Sequence, residues 1–312
     1  MNGKPCCTPV QDSNPYTAPD SGPTGTEYPH VASSEGRLPR EDFRQIPHGP
    51  FRMGSSGPEI WPGDGEDPVR EVEQDTFHIS AFTVTNAQFG AFVEATGYRT
   101  DAENFGSSFV FTPNIDSKAN AGRDVRQVPD LEWWSEVKKA SWKRPCGGKS
   151  TLKGMERHPV VHVSYRDAGA FCTWSGTRLP SEAEWEKAAR GGLEGMLYPW
   201  GNELEPGGKA RCNIFRGNSF PDQPRAGKRP FTCPVDRYPP NGFGLFNCSG
   251  NVWEWVDSAP GTSSSEPQHL QKGGSYLCHH SYCDRYRLSA RTRGPDENAT
   301  CHAGFRVVLE KA

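Results

Sequence analysis

Glycine and proline set the terms for this chain: its 312 residues include 34 glycines and 28 prolines, about one position in five. Average composition is nearer roughly one in eight. Glycine costs helices and strands backbone entropy and proline removes a main-chain donor, so long helices and broad regular sheets are disfavoured. Short elements divided by irregular segments remain. The chain is still long enough to bury a sizeable core, as one large or two small domains.

Hydrophobic residues make up 34% and charged residues 23%, with a formal net charge of -3. No apolar run reaches the roughly 18 residues needed to cross a bilayer. The opening MNGKPCCTPV has neither the basic start nor the apolar stretch of a secretion signal. These features lead us to expect a cytoplasmic protein with reduced thiols; if a leader has been removed, the endoplasmic reticulum lumen or the exterior becomes the expectation. So small a net charge argues against a chain that works by neutralising phosphates. Neither nucleic acid nor membrane is an expected partner.

Residues 1–42 are crowded with Pro, Gly, Ser, Thr and Asp and nearly lack large apolar side chains, which predicts a disordered or extended tail. Its adjacent Cys6 and Cys7 are too close for easy bridging to each other. From Phe43 onward, FHISAFTVT (77–85), HPVVHVSY (158–165) and GFRVVLE (304–310) read as strands. Helical spacing marks 86–95, with Phe89, Phe92 and Val93 on one face, and 181–190, with Ala183, Trp185, Ala188 and Ala189. Thr85 precedes the first, and Ser181 with Glu184 makes a capping box for the second. A further helix is expected over 167–175, whereas 191–232 shows neither period. With no internal repeat and no composition break, 43–312 reads as a single α+β domain, rich in loops and low in regular secondary structure.

Ten cysteines are an even number, but at about 3% of the residues they fall far below the density of small disulfide scaffolds. Cys278 and Cys283 stand out, five apart in GGSYLCHHSYCDRYR behind Gly273 and Gly274. Spacing alone leaves a short-loop disulfide, two unrelated thiols, or a metal or redox site open. Zinc fits poorly, because only the adjacent His279 and His280 are at hand as further ligands. Two soft thiolates without hard partners suit Cu(I), whose low coordination leaves room for a third sulfur from a thiol substrate. Arg285, Arg287, Arg291 and Arg293 alternate beyond them, either lowering thiol pKa values or pairing with Asp284, Asp296 and Glu297. Ser275 and Tyr282 place hydroxyls beside the cysteines, to orient water or oxygen or simply to bond the backbone.

A second cluster is NCSGNVWEW (247–255). Glycine between two asparagines lets carbonyls turn inward, and Glu254 could complete an oxygen cage of the kind Ca²⁺ prefers. A buried turn pinned by Trp253 and Trp255 is the other reading. G-x-S-x-G, H-E-x-x-H and the P-loop pattern are absent. His158 and His162 share a strand-like stretch about 13 Å apart, which disfavours joint metal ligation.

Several segments together resemble the formylglycine-generating enzymes, also called sulfatase-modifying factors. They are FRMGS (51–55), TVTNAQFGAFVEATGY (83–98), RHPVVHVSYRDAGAFCTWSGTRLPSEAEWEKAARGGL (157–193), YPWGNEL (198–204), NGFGLFNCSGNVWEW (241–255), the cysteine segment and GFRV (304–307). The resemblance spans roughly 44–310. It implies a compact fold related to C-type lectins and an oxidase that converts a cysteine in a C-x-P-x-R segment of a sulfatase to Cα-formylglycine, using O2 and a thiol reductant.

By position the resemblance makes Cys278 and Cys283 the copper thiolates, with the substrate cysteine as third ligand. It places Ser275 and Tyr282 near the oxygen position and Trp253 in the pocket wall. It also implies two structural Ca²⁺ ions, one at Asn247, Gly250, Val252 and Glu254. The other would use Asn213, Ile214 and a later Asp, but here that loop reads DQPRAGKRPF, with Asp222 as the one substitute. Leu288 and Val307 stand where vertebrate members have disulfide cysteines, leaving Cys172 and Cys301 for other pairings. His302 stands where Asn is common. Thr83 and Ser107 replace acids that receive the substrate arginine in some members. The alternatives are a non-haem iron sulfoxide synthase of the same superfamily, whose His-rich triad cannot be assembled here, and a lectin-like paralogue without activity, against which both cysteines count.

Overall fold

The structure is a computed structural model that describes residues 38–115, 124–220, 231–258 and 267–310. Cys6, Cys7, Asp222 and the expected tail up to residue 37 lie outside the described residues.

Helices α1 (Asn86–Thr96), α2 (Asp101–Phe105), α3 (Tyr165–Ser175) and α4 (Glu182–Arg190) share one local rule. Each starts behind a Thr or Ser whose hydroxyl accepts the N–H of the third helical residue, while that residue's side chain accepts the cap N–H. Each stops at a glycine in the left-handed region. α1 and α4 fall where the spacing predicts them. α3 begins earlier than 167, because Ser164 is the cap. α2 is too short to display a period.

Two four-stranded sheets carry the scaffold. One runs β1 (Phe43–Ile46), β4 (Phe77–Ser80), β13 (Val308–Leu309), β8 (Thr177–Arg178), all antiparallel, so the last strand lies between strands from the beginning and middle of the domain. The other runs β11 (Arg291–Pro295), β10 (Gln268–Lys272), β9 (Trp253–Trp255), β12 (Ala303–Phe305), with β9 and β12 parallel. A hairpin of β2 (Gly49–Met53) and β3 (Arg70–Gln74) and a sheet ordered β5 (Ser107–Phe111), β7 (Leu131–Lys138), β6 (Val125–Val128) complete the set. Among the described residues no helix is long and apolar enough to cross a membrane.

Three strand expectations need correction. The 158–165 stretch makes only an isolated bridge from Pro159 to Thr85, because His162 sits at φ 59°, outside strand geometry. Residues 304–310 divide between two sheets, β12 ending at Phe305 and β13 starting at Val308. The 77–85 strand stops at Ser80. In the described part of 191–232 the backbone is irregular, apart from a 3₁₀ turn at Pro206–Gly208.

Aromatic packing knits the elements together. Phe89 and Phe92 of α1 meet Phe171 of α3, and Phe89 also contacts Trp142 and Phe305 of β12, all buried. This fixes β9 and β12, which form one wall of the site described next.

Candidate active site

Gly273 and Gly274, at φ 91° and 72°, turn the chain out of β10 into the 275–283 loop. A Cβ on Gly274 would lie 2.7 Å from the Arg285 carbonyl, so only glycine lets the two limbs of the loop close at its base. Within it the Cys278 N–H donates to Ser275 O at 3.0 Å, and the Tyr282 and Cys283 N–H groups both donate to His279 O at 2.9 and 2.8 Å. The Ser275 N–H points at Cys278 Sγ, 3.3 Å away, with Ser275 Oγ at 4.0 Å from the same sulfur.

This loop carries Cys278 and Cys283 into one apolar cluster with Tyr198, Cys212, Ile214, Trp253, Tyr286 and Ala303, and both thiols are 0% exposed. Trp253 is placed by the β9–β12 pairing, opposite Ala303, with its N–H donating to His302 O at 2.8 Å. Its buried Nε1–H finds no acceptor among the described residues. The predicted Ser275, Cys278, Cys283 and Trp253 are thus brought together. Tyr282 packs against the same cluster and also stacks on Phe220 at 5.0 Å, edge-on to Trp133 at 4.9 Å. That aromatic wall, with Phe111 and Phe215 behind it, draws on four distant segments and leaves no periodic trace in the sequence.

The arginines beyond Cys283 find their closest partners in other segments, although one pairing the sequence suggested, Arg287 with Asp284, lies within ion-pair distance. Arg285 binds Asp64 and lies over the Trp61 ring at 4.6 Å, Arg287 binds Glu66, and Arg291 binds Glu182 and the Asp64 carbonyl. Arg293 donates to Gln268 O at 3.1 Å. Asp284 accepts from Trp61 Nε1 at 2.6 Å, although it also lies 3.7 Å from Arg287. Sequence reasoning missed the 61–66 segment altogether, since nothing local marks a loop that acts on residues some 220 positions away.

The two segments considered for calcium touch. Asn213 bridges Gly250, its carbonyl accepts the Asn251 N–H at 2.7 Å, and its Nδ2 donates to Asn251 Oδ1 at 3.1 Å. Asn247, Gly250 and Asn251 all have positive φ, at 52°, 73° and 66°. Asn247 Oδ1 is buried without a hydrogen-bond donor among the described residues. Ile214 packs into the cysteine cluster, and Val252 is buried beside β9. Glu254 faces away from the cysteines, receiving Arg306 on both oxygens and Trp185 Nε1 at 2.7 Å.

The other singled-out residues have structural partners. His162 Nδ1 meets Ser108 Oγ and its Nε2 meets Pro145 O, and burial pushes its pKa down to about 4. His158 meets Thr232. The eight described cysteines are thiols, and Cys172 and Cys301 belong to different clusters, with burial pushing each up to about 12. Leu288 and Val307 are buried apolar side chains. Thr83 is buried, Ser107 donates to Glu136 at 2.6 Å, and His302 lies edge-on to Trp134 with Nδ1 2.6 Å from Thr300 Oγ1.

The sulfatase-modifying factor enzyme 1-like domain matches residues 29–311. The chain belongs to the formylglycine-generating enzyme family. A family member from Thermomonospora curvata is 47% identical over 85% of this chain and 92% of its own length, and one from Streptomyces coelicolor is 43% identical over 95% of each. The structure of PvdO from Pseudomonas aeruginosa superimposes with a TM-score of 0.60 at 22% identity, over 86% of this chain and 94% of that one, which extends the likeness in fold alone. The formylglycine-generating enzyme fold thus accounts for the loop-rich α+β architecture.

Proposed function

We propose that this chain is a copper-dependent oxidase that converts a cysteine in a C-x-P-x-R segment of a sulfatase to Cα-formylglycine, with O2 as oxidant and a thiol as reductant. The observation that carries the reading is the complete burial of Cys278 and Cys283 on one hydrogen-bonded loop, in one apolar cluster. The donor set fits a soft, low-coordinate cation: among the described residues no group of three His, Cys, Asp or Glu side chains gathers to close a zinc or iron site. A third coordination position is thereby left to the substrate sulfur. Family membership favours a sulfatase as the protein modified.

The overall change balances as one substrate cysteine side chain, one O2 and two reductant thiols giving one aldehyde, one hydrogen sulfide, one water and one disulfide. When bound, Cu(I) supplies the single-electron chemistry toward O2 that protein side chains lack. Cys278 and Cys283 hold it as thiolates and release their protons on loading. The Ser275 N–H, 3.3 Å from Cys278 Sγ, orients that sulfur. Trp253 packs in the same cluster as the two sulfurs and excludes water, while the Ser275 and Tyr282 hydroxyls orient oxygen and substrate.

Structural Ca²⁺ is the second component of the proposal. Asn247 Oδ1 is an acceptor buried without a donor among the described residues, and the carbonyls of Gly250 and Val252 lie on the same turn. Glu254 would contribute only what Arg306 leaves of its charge. Asn213 and Ile214 are the candidate ligands of a further ion.

The test is aerobic incubation of Cu(I)-loaded protein with a C-x-P-x-R peptide and dithiothreitol, reading product mass and aldehyde reactivity. Aldehyde that vanishes when copper is withheld, and in Cys278→Ser and Cys283→Ser proteins that still fold, is expected. Turnover retained by Cys278→Ser would defeat the copper assignment.

A further inference from the structure

A second pair of cysteines lies outside the C-x₄-C loop. Cys212 is buried and Cys233 half-buried, and both are thiols. Asn251 draws their backbones together. Its Oδ1 accepts the Cys233 N–H at 2.9 Å and Asn213 Nδ2 at 3.1 Å, and its Nδ2 donates to Cys233 O at 3.2 Å. Its own N–H donates to Asn213 O at 2.7 Å. Asn213 Nδ2 reaches Phe231 O as well, at 2.8 Å. One asparagine therefore clamps Cys233 to the residue that follows Cys212. Cys233 adds to the burial that raises the Cys212 thiol, and both cysteines raise the Tyr238 phenol.

We propose that Cys212 and Cys233 form a redox-modification site, a dithiol that a low-molecular-weight disulfide such as oxidised glutathione converts to a protein disulfide. The half-buried Cys233 thiolate attacks one glutathione sulfur, forming a mixed disulfide and releasing glutathione thiolate, which takes up the Cys233 proton. The Cys212 thiolate then displaces the second glutathione, which takes up the Cys212 proton. Two protein thiols lose two electrons and one glutathione disulfide becomes two thiols. Burial pushes both protein thiols up to about 12, so the exchange is slow and the site responds to sustained oxidising conditions.

The consequence reaches the active site through three residues. Phe215, which follows Cys212, Asn213 and Ile214, donates its N–H to Cys278 O at 3.1 Å. The disulfide would pin the segment that supports Cys278, where the reduced protein holds it by hydrogen bonds and packing alone.

The experiment equilibrates the full-length protein in graded mixtures of reduced and oxidised glutathione, quenches in acid, alkylates, and maps linked peptides by mass spectrometry. A peptide joining Cys212 to Cys233, lighter by two hydrogens, is expected under oxidising mixtures, together with a melting temperature raised by at least about 4 °C. Both should reverse with dithiothreitol and be missing in Cys233→Ala. Single glutathione adducts on Cys233 at full oxidation, or links from Cys212 to Cys248, Cys278 or Cys283 instead, would overturn the proposal. The readout is chemical mapping, so it stands or falls independently of turnover and of copper.

Discussion

Arg306 grips Glu254 at two points, Nε to Oε2 at 2.6 Å and Nη2 to Oε1 at 2.8 Å, with neither side chain more than 1% exposed. Burial alone would depress the guanidinium pKa, but the Glu254 carboxylate more than reverses that and holds it charged. Arg306 also donates to the carbonyls of Ser80, Ala81 and Phe246, so it ties the β9–β12 layer to the end of β4. Removing one partner leaves the other buried and uncompensated, at a cost of about 3–5 kcal/mol. Arg306→Ala should lower the unfolding free energy measured by denaturant titration by an amount in that range. A loss under about 1 kcal/mol would show that water or a neighbour takes over the carboxylate.

The calcium assignment is separable from this ion pair through Asn247. Its Oδ1 has no donor among the described residues while its Nδ2 donates to Val235 O at 2.8 Å, so the side chain is oriented with an acceptor to spare. In thermal melts, Ca²⁺ should raise the melting temperature of the native protein over chelator-treated protein by RT ln(1 + [Ca²⁺]/Kd) expressed as stability. Asn247→Ala should lose that increment and, in chelator, differ from the native protein by only about 1–2 kcal/mol. Equal increments in both proteins would remove Asn247 from the ion.

How far the sequence reached is visible in the helices and the cysteine loop. Thr85 and Ser181 predict their helices because capping is local chemistry, written within four residues. Cys278, Cys283 and Ser275 are legible for the same reason, since one short loop carries all three. His162 misled as a strand residue because its left-handed backbone is imposed by distant partners, Ser108 and Pro145. The arginines are legible only in part, since Arg287 does lie near Asp284. Their spacing shows four positive charges, but whether these meet thiols or the carboxylates of Asp64, Glu66 and Glu182 depends on where a loop some 220 residues away is packed.

Asp167 supplies a pH dependence of defined sign. Burial, and then the charge of Asp101, raise its pKa from 3.8 to about 7, against the pull of hydrogen bonds from Ser164, Asp101 and Tyr98. The folded state therefore holds a proton that the unfolded chain has released between about pH 4 and 7. Stability from this group is present at the acid end and is lost as pH rises through that window. Glu66, Glu184 and Glu186 act oppositely: burial opposes their charge, their cationic partners outweigh it, and their contribution fades only as pH falls below about 4.5. Comparing Asp167→Asn with the native protein from pH 4.5 to 7 should reveal a difference that narrows with rising pH by about 2–4 kcal/mol. Parallel pH profiles would refute the raised pKa.

The 61–66 segment should matter to catalysis as well as to stability. Glu66 accepts from Arg287 on both oxygens, from Ser289 Oγ at 2.6 Å and from the Trp61 N–H at 3.1 Å, and is itself buried. Asp64 holds Arg285, and Trp61 holds Asp284, so the three residues nearest the exit of Cys283 that carry charge are all fixed from one loop. Glu66→Gln keeps the shape but leaves Arg287 buried against a neutral amide, which should cost about 2–4 kcal/mol. Because the strain falls beyond Cys283, that sulfur and not Cys278 should lose its position. At a temperature where the variant is fully folded we expect Cu(I) affinity and kcat/KM each to fall about tenfold, roughly 1.4 kcal/mol of lost positioning. Lower stability with unchanged Cu(I) affinity and turnover would make the segment a structural brace alone.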